Sequence, residues 1–420
     1  MLVAAFILLK IIKILRLMKL PKVGPAILVT AAFIGPGTVI TASLAGANFG
    51  FSLLWALLFS VVATIILQEM AARLGVVTQQ GLGENIRHTF KHPLLRAVAI
   101  TLVVSAIVIG NGAYQSGNIS GASLGLEGML GSMQLFELSI WPLLIGIIAF
   151  ALLWRGDYKL IEKALIGLVG LMSLAFIITF IITKPNLGDL FTGLFTPSIP
   201  TGATLTIIAL IGTTVVPYNL FLHAASASQK WQKPEQLSEA RKDLYIAIPL
   251  GGLISIAIVS TAASAFFGQE LAIQSIADLA PALQPMFGDY AKTFMAVGLF
   301  SAGISSAVTA PLAAAFALSG VLNFNKELTS SSFKAIWSSI LLIGVIVASL
   351  GYKPISIIWF AQVANGVLLP IVTIFLLWIM NTQKLGEYRN SILQNILGSL
   401  VVIVTLMLSG RSLMSAFGLL

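Results

Sequence analysis

Residues 31–46 read AAFIGPGTVITASLAG, and residues 209–226 read ALIGTTVVPYNLFLHAAS. Each is an apolar stretch with a helix breaker near its middle: Gly35-Pro36-Gly37 in the first, Pro217 in the second. Proline removes a backbone donor and collides with the preceding turn, and flanking glycines let the chain unwind. At membrane depth, unwound backbone is tolerated only where it lines a cavity or is buried in protein. An ordinary kink accounts for either proline alone. Two at matched depth, each beside Gly or Thr and a polar residue, point to a transporter's central site.

The surrounding composition supplies the membrane. Of 420 residues, 58% are hydrophobic and 9% charged, whereas soluble domains carry about 25% charged residues. Apolar runs near the roughly 20 residues needed to cross a bilayer recur along the chain. They predict spans at 24–47, 51–74, 94–117, 135–154, 160–183, 204–226, 244–267, 290–319, 333–350, 356–380 and 392–409. With the N-terminus inside, 20 of the 24 Lys and Arg fall on cytoplasmic segments; Lys184, Lys292, Lys353 and Arg411 fall outside. That asymmetry sets the expected orientation, N-terminus in and C-terminus out. It also accounts for the net charge of +9 without nucleic acid.

The expectation is an all-α polytopic membrane protein of about 11 transmembrane helices in one domain, 24–420. An odd number of helices per repeat inverts the second copy, so repeat one (about 24–183) and repeat two (about 204–380) form a 5+5 inverted pair. Helices 1 and 6 are broken, and a further helix follows at about 392–409. Residues 1–23, apolar from Leu2 to Leu9 and then basic at every third or so position, read as an interfacial amphipathic segment. Trp141 and Trp154 read as interfacial anchors of the fourth span. Runs such as Gly121-Ala122-Ser123 read as close helix packing. Zero cysteine excludes disulfides, thiolate ligands and Cys nucleophiles. With no His-Glu-x-x-His pair and no paired Asp in facing spans, an enzyme is not expected, and no cofactor is implied.

Longer matches add a family. GPGTVITASLAGANFGFSLLWALL (35–58), LQEMAARLGVVT (67–78), GTTVVPYNLFLH (212–223), SAGISSAVTAPLAAAF (301–316) and AQVANGVLLP (361–370) resemble, in order, the Nramp family of divalent-metal transporters. That family shares the LeuT-type inverted-repeat fold. The resemblance implies a substrate-binding site at Gly35, Pro36, Gly37, Thr38, Thr213, Val216, Pro217, Tyr218, Asn219, Gln362 and Asn365. It implies metal contacts at Thr38, Thr213 (through its carbonyl), Asn219 and Gln362, and manganese, iron or magnesium as the substrate class. It also implies a bacterial inner-membrane symporter with protons as the coupling ion.

The departures are chemical. Where the family pattern has Asp and Asn in the first span, this chain has Gly35 and Thr38; where it has Met and His around the helix-6 proline, Val216 and Tyr218 stand. The family's acidic pair in the third span falls on Asn111 and Tyr114, and mid-helix basic residues of the ninth span are missing. A divalent ion in a low-dielectric pocket needs countercharge or a dense oxygen shell. A neutral site suits a largely hydrated ion held weakly, or a neutral or zwitterionic solute such as a small amino acid. An uncoupled facilitator is the remaining alternative. Coupling candidates are Asn111, Tyr114, His223 and Glu69. His223 reads as a proton relay or as a hydrogen-bonded structural histidine, and Glu69 as a surface-paired carboxylate near Arg73. Sodium, held by carbonyls and hydroxyls such as that of Thr38, is the other coupling reading. Nothing in the sequence sets an oligomeric state.

Overall fold

The computed structural model describes residues 34–135, 138–156, 159–269 and 273–416. The basic segment 1–23 and residues 24–33 of the expected first span lie outside the described residues. The helices are α1 (Pro36–Phe49), α2 (Leu54–Thr78), α3 (Leu82–Thr89), α4 (Pro93–Leu130), α5 (Trp141–Arg155), α6 (Lys159–Thr183) and α7 (Leu187–Phe195). They continue as α8 (Thr204–Thr214), α9 (Pro217–Lys230), α10 (Leu237–Phe266), α11 (Ala291–Leu322), α12 (Ser331–Ala348), α13 (Pro354–Ile379) and α14 (Ile392–Ala416). Among the described residues, nine helical stretches are long and apolar enough to cross a membrane, and α5 is a shorter apolar helix. Large apolar side chains such as Ile147, Ile246, Phe360 and Ile396 stay exposed. Lipid accepts them where water would not.

Between helices in lipid, close backbone approach replaces the hydrophobic drive, so small residues mark the contacts. A Cβ on Gly303 of α11 would lie 2.4 Å from the backbone nitrogen of Ala122 in α4. One on Gly46 of α1 would lie 2.2 Å from the Val259 carbonyl of α10, and one on Gly75 of α2 would lie 2.2 Å from the Ala224 carbonyl of α9. Gly212 of α8 meets the Gln362 carbonyl of α13 at 2.1 Å by the same construction. These approaches hold the broken helices against their neighbours.

The expected spans correspond to helices, with three corrections. α4 does not end near 117 but runs 38 residues to Leu130. Its polar run Asn111 to Ser123 looks like a span end in sequence, yet Tyr114 to Leu126 are all buried in the bundle. The fourth span starts at Trp141 rather than 135, because Gln134–Leu135 and Leu138–Ser139 form a small antiparallel hairpin. Trp141 is buried, with its Nε1 donating to the Gly131 carbonyl at 3.1 Å, so it is no interfacial anchor. Trp154 is exposed, stacks on Phe150 and carries the Lys334 ammonium 4.3 Å over its ring.

Candidate functional site

Local sequence sets both breaks. Ile34 and Gly35 are non-helical, and α1 begins with Pro36 at its first position. Gly35 is extended (φ −102°, ψ −173°) and offers no side chain to cap the helix. In the second break, Val215 and Val216 leave helical geometry between α8 and α9. Pro217 opens α9, and Val216 before it supplies no side-chain cap either. Proline fits the first helical position because that position has no intrahelical partner for an N–H. Four residues back, the Thr213 carbonyl consequently has no N–H to receive from Pro217.

The two breaks touch. Thr38 Oγ1 and Thr213 Oγ1 lie 2.8 Å apart, both fully buried. Over α1 lies Gln362 of α13: a Cβ on Gly37 would sit 2.3 Å from its Nε2. That nitrogen donates to the Ile358 carbonyl at 3.3 Å, while Gln362 Oε1 has no partner in the protein. Pro36 packs on Gly121 of α4, where a Cβ would come within 2.2 Å of it. Tyr114 of α4 meets Tyr218 of α9 edge-on, ring centroids 5.3 Å apart. Asn365 Oδ1 lies 3.5 Å from the Cβ position of Gly110, and its Nδ2 is unpartnered. Asn219, in the first turn of α9, is fully buried with neither amide atom partnered. Asn111 Nδ2 reaches the Ala310 carbonyl of α11 at 3.5 Å.

Across the breaks Thr38 thus meets Thr213, Gly37 meets Gln362 of α13 and Pro36 meets Gly121 of α4, while Tyr114 and Tyr218 pair with each other between α4 and α9. Val216 is buried at the second break. His223, one and a half turns into α9, is fully buried, with Nδ1 2.7 Å from Gln68 Oε1 of α2 and Nε2 unpartnered.

Glu69 stands elsewhere, and its reading as a surface-paired carboxylate is overturned. Its side chain is 7% exposed and is held by two arginines. Arg73 Nη2 donates to Oε2 at 3.0 Å, and Arg241 donates to Oε1 through Nε at 3.0 Å and Nη2 at 2.8 Å. Arg73 also donates to the Tyr388 carbonyl and to Asn390 Oδ1, each at 2.7 Å. The partner Arg241 opens α10, far along the chain from Glu69, so sequence spacing gave no sign of it. Gln68 was likewise missed; an amide beside a carboxylate in an otherwise apolar helix was the available signal.

Among the described residues no group of three or more His, Cys, Asp or Glu is placed to hold a metal ion. The acceptors at the breaks are therefore neutral hydroxyls, amides and carbonyls. Two cavities, of about 350 Å³ at Thr183, Thr261 and Gln284 and about 300 Å³ at Asn48, Gln274 and Lys353, include no residue of the breaks.

Comparison with known proteins finds relatives over nearly the whole length. The sequence model of the Nramp family, natural resistance-associated macrophage protein-like, matches residues 26–415. The divalent metal cation transporter MntH of Yersinia pestis (strain Pestoides F) is 29% identical over 408 residues, covering 96% of each chain. That of Klebsiella pneumoniae (strain 342) is 28% identical over 403 residues, 94% of each. The manganese transporter of Eremococcus coleocola, in complex with an aromatic bis-isothiourea substituted compound, superposes with a TM-score of 0.76 at 21% identity, covering 93% of this chain and 86% of that one. MhsT in complex with L-phenylalanine superposes with a TM-score of 0.64 at 15% identity, covering 93% and 98%. At these identities the superpositions carry the fold.

Proposed function

The chain belongs to the Nramp family and has its LeuT-type fold, and from that premise we propose that it is a secondary transporter of divalent metal cations, working by alternating access at the two helix breaks. The single observation that carries this reading is the Thr38–Thr213 hydroxyl contact, which ties the two breaks together inside a buried neutral site. Thr38, Thr213, Asn219 and Gln362 supply the acceptors. A hard ion that keeps part of its water shell fits such a site, because water hydrogens can point at neutral oxygens while the ion itself stays solvated. Tight binding of manganese or iron would need the carboxylate and thioether that Gly35 and Val216 do not supply.

His223 with Gln68 is the proposed proton route, with sodium at the Thr38 hydroxyl as the other coupling reading. The cytoplasmic membrane of a bacterium, with the N-terminus inside, is the proposed setting. A neutral or zwitterionic solute is the second reading, favoured by the amide donors of Asn219 and Asn365 that no protein acceptor meets.

The test is manganese and magnesium uptake into proteoliposomes carrying an internal pH dye. Saturable uptake of either ion, reduced by Gln362→Ala, is the expected result. Absence of flux of both ions in folded protein overturns the cation reading.

A further inference from the structure

Residues 87–96, at the junction of α3 and α4, read RHTFKHPLLR, and no Asp or Glu follows Glu84 until Glu127. Elsewhere the chain answers its own cations. Arg73 and Arg241 share Glu69, Lys326 pairs with Glu84, and Lys334 lies over Trp154. Lys230, Lys233, Arg241 and Lys242 are interleaved with Glu235, Glu239 and Asp243. At the junction the pattern differs. Arg87 donates to the Val321 carbonyl at 3.4 Å. Lys91, His92 and Arg96 are exposed, and among the described residues none of them pairs with a carboxylate.

Tertiary structure adds a further cation and an aromatic anchor. Lys384, in the turn after α13, donates to Gln80 Oε1 at 3.4 Å, and His88 Nδ1 lies 3.3 Å from the same oxygen. Glu387, three residues on, pairs with no lysine or arginine. Phe90, next to Lys91, meets Phe375 edge-on at 5.7 Å and Trp378 at 5.3 Å between ring centroids. Trp378 itself is more than half exposed, as an amphipathic ring at a membrane interface is. From the basic end, Leu94, Val98, Leu102 and Ile109 of α4 recur at helical spacing, and all are exposed. One helix thus carries an unanswered basic end and a bare apolar face running away from it.

We propose that the α3–α4 junction, Lys384 and Trp378 form a binding site for an anionic phospholipid. Its phosphate is held by Lys91, Arg96 and Lys384, and its acyl chains lie along the exposed face of α4. Basic clusters beside a membrane span attract anionic headgroups, each Lys or Arg contributing about fivefold in affinity near the surface. The lipid is a partner of the fold and not the cargo, so the site stands whichever solute the breaks carry.

The experiment is quenching of Trp378 fluorescence on the full chain in phosphatidylcholine vesicles. An equal minor share of the lipid is either brominated phosphatidylglycerol or brominated phosphatidylcholine. Trp378→Phe, measured in the same vesicles, is subtracted so that the Trp378 signal alone is read. Brominated phosphatidylglycerol is expected to be enriched at Trp378 at least about fivefold over brominated phosphatidylcholine, and high salt is expected to shrink that preference. With Lys91→Gln, Arg96→Gln and Lys384→Gln combined, the two lipids are expected to quench equally. Equal quenching of the unaltered protein overturns the proposal, as does a preference that survives the triple substitution or is indifferent to salt. If the triple variant does not fold, the two-lipid comparison and its salt dependence on the unaltered protein decide the matter.

Discussion

The helix breaks and the Glu69 cluster are both buried and polar, yet they are satisfied in opposite ways. Around Glu69 every carboxylate oxygen has an arginine, and three segments, α2, the start of α10 and the loop at 388–390, are tied by charge-assisted bonds. At the breaks the polar groups are neutral, and several have no protein partner. Polar groups that satisfy one another lock elements together; groups left unsatisfied keep affinity in reserve for something that passes through. One region reads as structure and the other as site.

Four substitutions break or sharpen that contrast in thermal melts, from the largest expected loss of stability to the smallest. Glu69→Gln leaves Arg73 buried with its charge uncompensated and costs about 3 kcal/mol, seen as a large fall in melting temperature. If the melt is unchanged, the cluster does not hold the helices. Gly212→Ala drives a methyl into the Gln362 backbone carbonyl, which a side-chain rotation cannot relieve, and costs about 2 kcal/mol. Thr213→Val removes one hydroxyl of the pair joining the breaks and costs about 1 kcal/mol, together with a measurable drop in cation uptake. Asn219→Leu is expected to leave the melt unchanged or raise it, because it replaces an unpartnered buried amide by apolar volume. Uptake nevertheless falls. A loss of stability for Asn219→Leu comparable to that for Glu69→Gln would erase the distinction between the two regions.

Much of this was legible before any coordinates. Pro36 beside Gly35 and Gly37, and Pro217 after Val215 and Val216, open α1 and α9, and that local backbone chemistry was visible in the chain, whereas Pro249, Pro311 and Pro370 lie inside continuous helices. Apolar length did the same for the spans. The polar run of α4 misled for a definite reason: periodicity and polarity do not tell a solvated loop from a helix whose polar face is buried against its neighbours. Asn111, Tyr114, Gln115 and Asn118 are all buried, and only their neighbours make that tolerable. Glu69 misled similarly, since Arg73 is visible one turn away in sequence whereas Arg241 is not.

By itself, then, the sequence determined the membrane, the family, the two breaks and the neutrality of the residues around them, because each depends on residue type and local spacing. Tertiary structure alone decided that Thr38 meets Thr213, that Gln362 lies on Gly37, that Tyr114 faces Tyr218, and that Glu69 is shared by two arginines. Apart from Glu69–Arg73 on one helix, these pairings join residues 104 to 325 positions apart, and no local preference in a chain encodes which distant group will satisfy a buried one.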